Sequence, residues 1–152
     1  MKNKLVSQWF EILIVVGLIV GFTLANALHI ILPWLSNRPG FIFTGIAHYF
    51  ADYFLYVDIM AQGAAGSLSA FPHFTNEILP ASALYWYNTL IGWIGHLVGL
   101  SPFAGYNVAL IMLMVVLCFL WYVLIREIYP TNRLIRITGF VFILSASNFI
   151  DL

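Results

Sequence analysis

The stretch LYWYNTLIGWIGHLVGL, Leu84 to Leu100, decides how the chain is threaded. It is apolar, but it runs for about 17 residues where a helix crossing the hydrocarbon needs about 20. It holds Gly92, Gly95, Gly99, Asn88 and His96, and its Trp86, Trp93 and tyrosines suit the headgroup level. If it crossed, the loop carrying Arg126, Arg133 and Arg136 would lie outside, against the tendency of basic loops to stay cytoplasmic. The stretch therefore reads as a helix lying in, or dipping into, the interface. A further span is its rival reading.

On its C-terminal side, Phe103 to Ile125, FAGYNVALIMLMVVLCFLWYVLI, reads as a clear span. A basic loop over 126–136 follows, then ITGFVFILSASNFIDL from Ile137, a third span that ends short of a full crossing. On the N-terminal side, Ile12 to Leu32, ILIVVGLIVGFTLANALHIIL, is the first span, with Lys2 and Lys4 before it and Pro33 and Trp34 after it. Ala25-Asn26-Ala27 has the small-x-small pattern of a signal-peptide cleavage site, but the apolar run continues past it, which favours a retained anchor.

Composition agrees with a lipid solvent. The chain of 152 residues is 62% hydrophobic and 8% charged, against about 25% charged in soluble domains. The formal net charge is zero, so no field exists to attract nucleic acid. The lone Cys118 lies in an apolar run and forms no intrachain disulfide. The expectation is an all-α integral membrane protein forming one domain over 1–152. It has about three transmembrane helices, the third truncated, and a long first loop over 33–102. Basic residues place the N-terminus and the 126–136 loop in the cytoplasm and the 33–102 loop outside, at a bacterial inner or plasma membrane.

The outer segment contains the candidate chemistry. Residues 48–65 read as a helix, with Gly66 at its stop. A loop with Pro72 and Pro80 leads to the interfacial helix over 84–100. His48, Asp52 and Tyr56 are spaced i, i+4, i+8 and share a face. Asp58 points some 120° away from Asp52, so the two are not a paired carboxylate site. Asp58 shares its own face with Gln62. Glu77, on the following loop, is the nearest acid in sequence that could meet Asp52. Arg38 is the segment's one Lys or Arg. His48 and His73 could complete a metal site with a carboxylate, but scattered loop histidines are more often merely polar, and no metal or cofactor is assigned.

This order of elements resembles the N-terminal part of bacterial GT-C superfamily membrane glycosyltransferases, which use polyprenyl-phosphate sugars. DYFLYVDIMAQGAAG, Asp52 to Gly66, is similar to their D-x-x-x-Y…Q-G-x-x-G stretch. FPHFTNE, Phe71 to Glu77, is similar to their N-P-Y-T-x-E, and LVGLSPFAGYNV, Leu97 to Val108, to the loop entering their second span. The resemblance covers about Trp9 to Phe149. It implies transfer of a sugar from a lipid-linked donor on the outer face, with Asp52 as the first-loop aspartate. His48, Tyr56, Asp58, Glu77 and Arg38 are the supporting candidates. The chain departs from the pattern at Tyr53, where many members have a second acid, and it lacks the further spans that complete the donor groove. Alone it is expected to be inactive. The rival readings are a non-enzymatic membrane scaffold or subunit and, behind it, part of a transporter. In every case the bilayer is a partner.

Overall fold

The computed structural model describes residues 2–36, 39–40, 50–71 and 80–146. The expected all-helical class holds. Among the described residues five helices follow in order: α1 (Lys2–Leu35), α2 (Phe50–Ala64), α3 (Trp86–Leu97), α4 (Pro102–Ile128) and α5 (Arg133–Ala146). Among the described residues the one β feature is an isolated antiparallel bridge between Ala70 and Ser82.

Helix ends follow local chemistry. Ser101 caps α4, its Oγ accepting from the Ala104 N–H, and Pro102 occupies the first helical position, where a missing N–H costs nothing. Asn132 caps α5 by accepting from the Ile135 N–H. Residues 126–136, expected as a loop, are therefore mostly helix. Arg126 sits in the last turn of α4, where a cation favours the helix dipole, and Arg133 and Arg136 lie in the first turn of α5. Both α2 and α3 end in a Schellman motif. Gly66 (φ 93°) donates to Gly63 O while Ser67 donates to Gln62 O. Gly99 (φ 77°) donates to His96 O while Leu100 donates to Gly95 O.

Among the described residues two helices are long and apolar enough to cross a membrane, over Gln8–Leu28 in α1 and Pro102–Ile128 in α4. Only 28% and 17% of these windows is buried. Leu13, Val16, Leu24, Met112, Leu113, Phe119 and Leu120 are all about half exposed or more. A soluble core helix of this composition would be mostly covered by protein. At 1.5 Å per residue α2 is about 22 Å long and α3 about 18 Å, against about 30 Å of hydrocarbon. The third span expected over 137–152 is described as helix to Ala146, and its remainder lies outside the described residues.

The chain divides into two compact units. The first joins residues 1–27 with 111–152. Its core takes Val15 and Ile19 from α1, Cys118, Tyr122 and Ile125 from α4, and Phe140 and Leu144 from α5. The i, i+3 and i+4 spacings give one stripe per helix. The same unit holds a buried ion pair. Arg136 grips Glu11 with two parallel bonds of 2.7 Å, Nε to Oε1 and Nη2 to Oε2. Tyr122 Oη also donates to Glu11 Oε1, at 2.6 Å. The remaining guanidinium nitrogen of Arg136 donates to the carbonyls of Tyr129 and Pro130, just past the end of α4.

The second unit, residues 28–110, contains α2, α3 and the first turns of α4. Its helices α2 and α3 cross at backbone contact. A Cβ on Gly63 would overlap Thr89 O, and one on Gly92 would overlap Met60 O. The contact is reciprocal, since each glycine meets a residue three positions from the partner glycine. Met60, Ile59 and Thr89 are fully buried beside it.

Candidate functional site

The second unit gathers tyrosines around one carboxylate. The first turn of α2 carries Asp52, an exposed acid where the helix dipole favours negative charge. Tyr53 and Tyr56 follow one and four residues later. Tyr53 is buried, edge-on to Tyr106 at 4.9 Å between ring centres and stacked on Phe103 at 6.2 Å. Tyr56 lies parallel to Tyr106 at 6.3 Å and meets Tyr85 at 6.2 Å. Helix α2, the residue just before α3 and the start of α4 thus each contribute a ring.

Asp52 lies close enough for its charge to act on both the Tyr56 and Tyr106 hydroxyls. Burial pushes the Tyr56 phenol up, and the Tyr87, Asp52 and Tyr85 oxygens add to the shift. Burial also raises the Tyr53 phenol, helped by Tyr106 and opposed by a hydrogen bond to Asn107. Both phenols are therefore hydrogen-bonding groups in neutral solution, not bases. Among the described residues of this unit there is no Lys or Arg to act as a fixed cation beside Asp52.

Asp58 is engaged elsewhere. Its Oδ2 accepts from Gln62 Nε2 at 2.9 Å. Gln62 in turn pairs with the backbone of Phe71 in both directions, Nε2 to Phe71 O at 2.9 Å and Phe71 N to Oε1 at 2.8 Å. Next to it, Ala70 and Ser82 exchange two backbone bonds of 2.9 and 2.8 Å. Asp58 and Gln62 thus tie α2 to the base of the loop that runs from Phe71 toward Ser82.

Of the remaining sequence candidates, His48, Glu77 and Arg38 lie outside the described residues, as does His73. The structure brings Asp52 and Tyr56 together and sets Asp58 apart. It adds Tyr53, Tyr85 and Tyr106, which sequence leaves among the interface-anchoring aromatics. Their signal was the spacing Tyr53–Tyr56 on one helix face, with Tyr106 one turn into α4. Among the described residues no group of three or more His, Cys, Asp or Glu is placed to hold a metal ion.

An exposed carboxylate beside aromatic faces can accept a proton from, or hydrogen-bond, a hydroxyl group held against those rings. Compared with protein-family models, curated proteins and solved structures, the chain matches none.

Proposed function

We propose that the chain is embedded in a membrane as the N-terminal part of a glycosyltransferase that takes a sugar from a polyprenyl-phosphate donor at the outer face. Asp52 is the general base toward the acceptor hydroxyl. The observation that carries this reading is the setting of Asp52, exposed in the first turn of α2 beside Tyr56 and Tyr106. A sugar ring presents weakly positive C–H groups, which suit the negative face of an aromatic ring. A hydroxyl on that ring can then reach the carboxylate, as a base requires. The cations that would meet a departing phosphate are not among the described residues of this unit. Arg38 is the sequence candidate for part of that task.

Membrane embedding is supported by α1 and α4, which are apolar around their circumference yet bury little of their length. Lipid is the solvent that leaves such surfaces without cost.

Asp52→Asn keeps the size and removes the base. In the intact protein it is expected to slow transfer from a lipid-linked sugar by about 10²–10⁴. Asp58→Asn, at a position held by Gln62, is expected to cost far less. Transfer is compared at equal membrane abundance. A normal rate for Asp52→Asn removes the catalytic reading and leaves the scaffold.

A further inference from the structure

Helix α3 is sorted the wrong way round for a helix in water. Its buried residues, Asn88, Thr89, Gly92 and Gly95, are small or polar. Its large apolar residues Trp86, Leu90, Trp93, Ile94 and Leu97 face outward, between 39% and 63% exposed. At about 100° per residue the five outward residues fall within one arc of about 100°, and the four buried ones lie on the other side of the helix. A surface helix of a soluble protein turns its apolar stripe to the core and its polar face to water. The reverse order belongs to helices packed in lipid, where small residues let backbones approach and bulky apolar ones meet hydrocarbon. The small residues serve that purpose here. Gly92 lies against the Met60 backbone, and a Cβ on Gly95 would meet Gly105 Cα, at the start of α4, at 3.9 Å. Helix α2 keeps the ordinary order, with Val57, Ile59 and Met60 buried and Asp52 exposed.

Two observations name what covers the outward face. The first is continuity with lipid. Helix α4, read as a span, starts at Pro102, five residues after Leu97. The turn between them is fixed by the Gly99 and Leu100 bonds back into α3 and by the Ser101 cap of α4. The C-terminal end of α3 is therefore held where α4 enters the membrane. The second is the make-up of the face, which carries two tryptophans and no charge, as suits the boundary between headgroups and acyl chains. Its direction follows from the same residues. The apolar side chains recur in every turn from Trp86 to Leu97, always on one side. A helix entering lipid end-on would instead be apolar all round at its deep end.

We infer that α3 lies flat in the membrane–water boundary, with the face of Trp86, Leu90, Trp93, Ile94 and Leu97 immersed in phospholipid and the face of Gly92 and Gly95 against α2 and α4. Lipid is thus the partner of this face along the whole helix. Sequence leaves three placements open for the stretch, flat, dipping and crossing, and the sorting of its two faces selects the first. The inference rests on the reading of α1 and α4 as membrane-embedded. It is independent of any catalytic role of Asp52.

The test uses three single-tryptophan forms of the full chain, in which Phe replaces the other four tryptophans and leaves Trp86, Trp93 or Trp121. Each is placed in phosphatidylcholine vesicles whose acyl chains carry bromine at graded depths, and fluorescence quenching is read. Trp86 and Trp93 are seven residues apart, about 10 Å along the helix axis. With α3 flat, both are expected to be quenched most strongly by the shallowest bromines, at one common depth. Depths that differ by about 10 Å show a dipping or crossing helix and overturn the inference. Quenching of both by aqueous acrylamide and by no bromine places the face in water and overturns it. Quenching by neither reagent shows a protein cover, a second copy of the chain included, and overturns it too. Trp121, in α4, separates this failure from a broader one. It is expected to be quenched by bromine. If it is not, the membrane reading of α4 falls and takes this inference with it. Quenching of Trp121 without quenching of Trp86 and Trp93 overturns the placement of α3 alone.

Discussion

Glu11 shows what one residue can conceal. In sequence it stands immediately before the apolar run that starts at Ile12, where a charge looks like the wet flank of a span. In the structure it is 6% exposed and takes three hydrogen bonds, two from Arg136 and one from Tyr122. The signal was faint: a single acid between Phe10 and Ile12, and an arginine 125 positions away in the chain. No local pattern joins residues so distant. The cost of burying both charges is met because each finds several partners, including two backbone carbonyls for Arg136. Removing one member strands the other. Glu11→Ala is expected to destabilise the protein by about 3–5 kcal/mol. Tyr122→Phe, which deletes one bond to a charged group, is expected to cost about 1.5–3 kcal/mol. Reversible unfolding in detergent at several denaturant concentrations measures both, and equal stability of Glu11→Ala and wild type would show that the pair contributes nothing. At the same scale, the geometric separation of Asp52 from Asp58 was readable, because six residues on a helix fix a direction. The partner of Asp58 was readable as well, because Gln62 lies one turn on. The ring set of Tyr53, Tyr56, Tyr85 and Tyr106 was not, because it draws on α2, the residue before α3 and the start of α4.

At the scale of elements, sequence was most informative where backbone chemistry is local. Gly66 marks the end of α2 because the left-handed conformation there suits glycine. Pro102 marks the start of α4 for the complementary reason. The basic stretch was harder to read, since the turn between α4 and α5 is only Tyr129 to Asn132 and the arginines beside it are helical. The roles of the interior glycines were also hidden. Gly63 and Gly92 carry no sequence signal of their own, yet they are the points where α2 and α3 touch backbone to backbone. Gly92→Ala forces the helices apart and is expected to cost about 1–3 kcal/mol, as overpacking does, and Gly63→Ala is expected to behave alike. Gly17 and Gly21 in α1 have nothing within 4 Å of an added Cβ. Alanine there is expected to be neutral or to stabilise by up to about 1 kcal/mol through helix propensity. Parallel thermal melts of the four variants separate the two classes. Equal melting temperatures for Gly92→Ala and Gly17→Ala would contradict the close crossing.

At the scale of the molecule, hydrophobic run length was enough to find both long apolar helices, with α4 within three residues at each end, while α1 starts ten residues before the apolar run, at Lys2. It could not show that the intervening segment folds as a unit with the first turns of α4, since that depends on contacts across distant sequence. The proposed orientation follows from the basic residues, with Lys2 and Arg133 on the cytoplasmic side and Asp58 outside. Single cysteines at these positions, in a Cys118→Ser background, are expected to react with an impermeant reagent in intact cells only at position 58. Labelling at position 133 would reverse the orientation. One feature of the unit over 28–110 bears on how such a protein could change. Gln62 acts toward Phe71 as a neighbouring strand would, offering one donor and one acceptor to one residue's backbone, and the Ala70–Ser82 bridge ties the same neck a second time. Closing a longer loop costs only about 0.6 kcal/mol per doubling of its length. The described ends of that segment, Phe71 and Ser82, are thereby tied to α2 and to each other. A residue inserted between Phe71 and Ser82 is therefore expected to cost little as long as these neck bonds hold, so the sequence there can vary while the helix pair that carries Asp52 keeps its backbone contact.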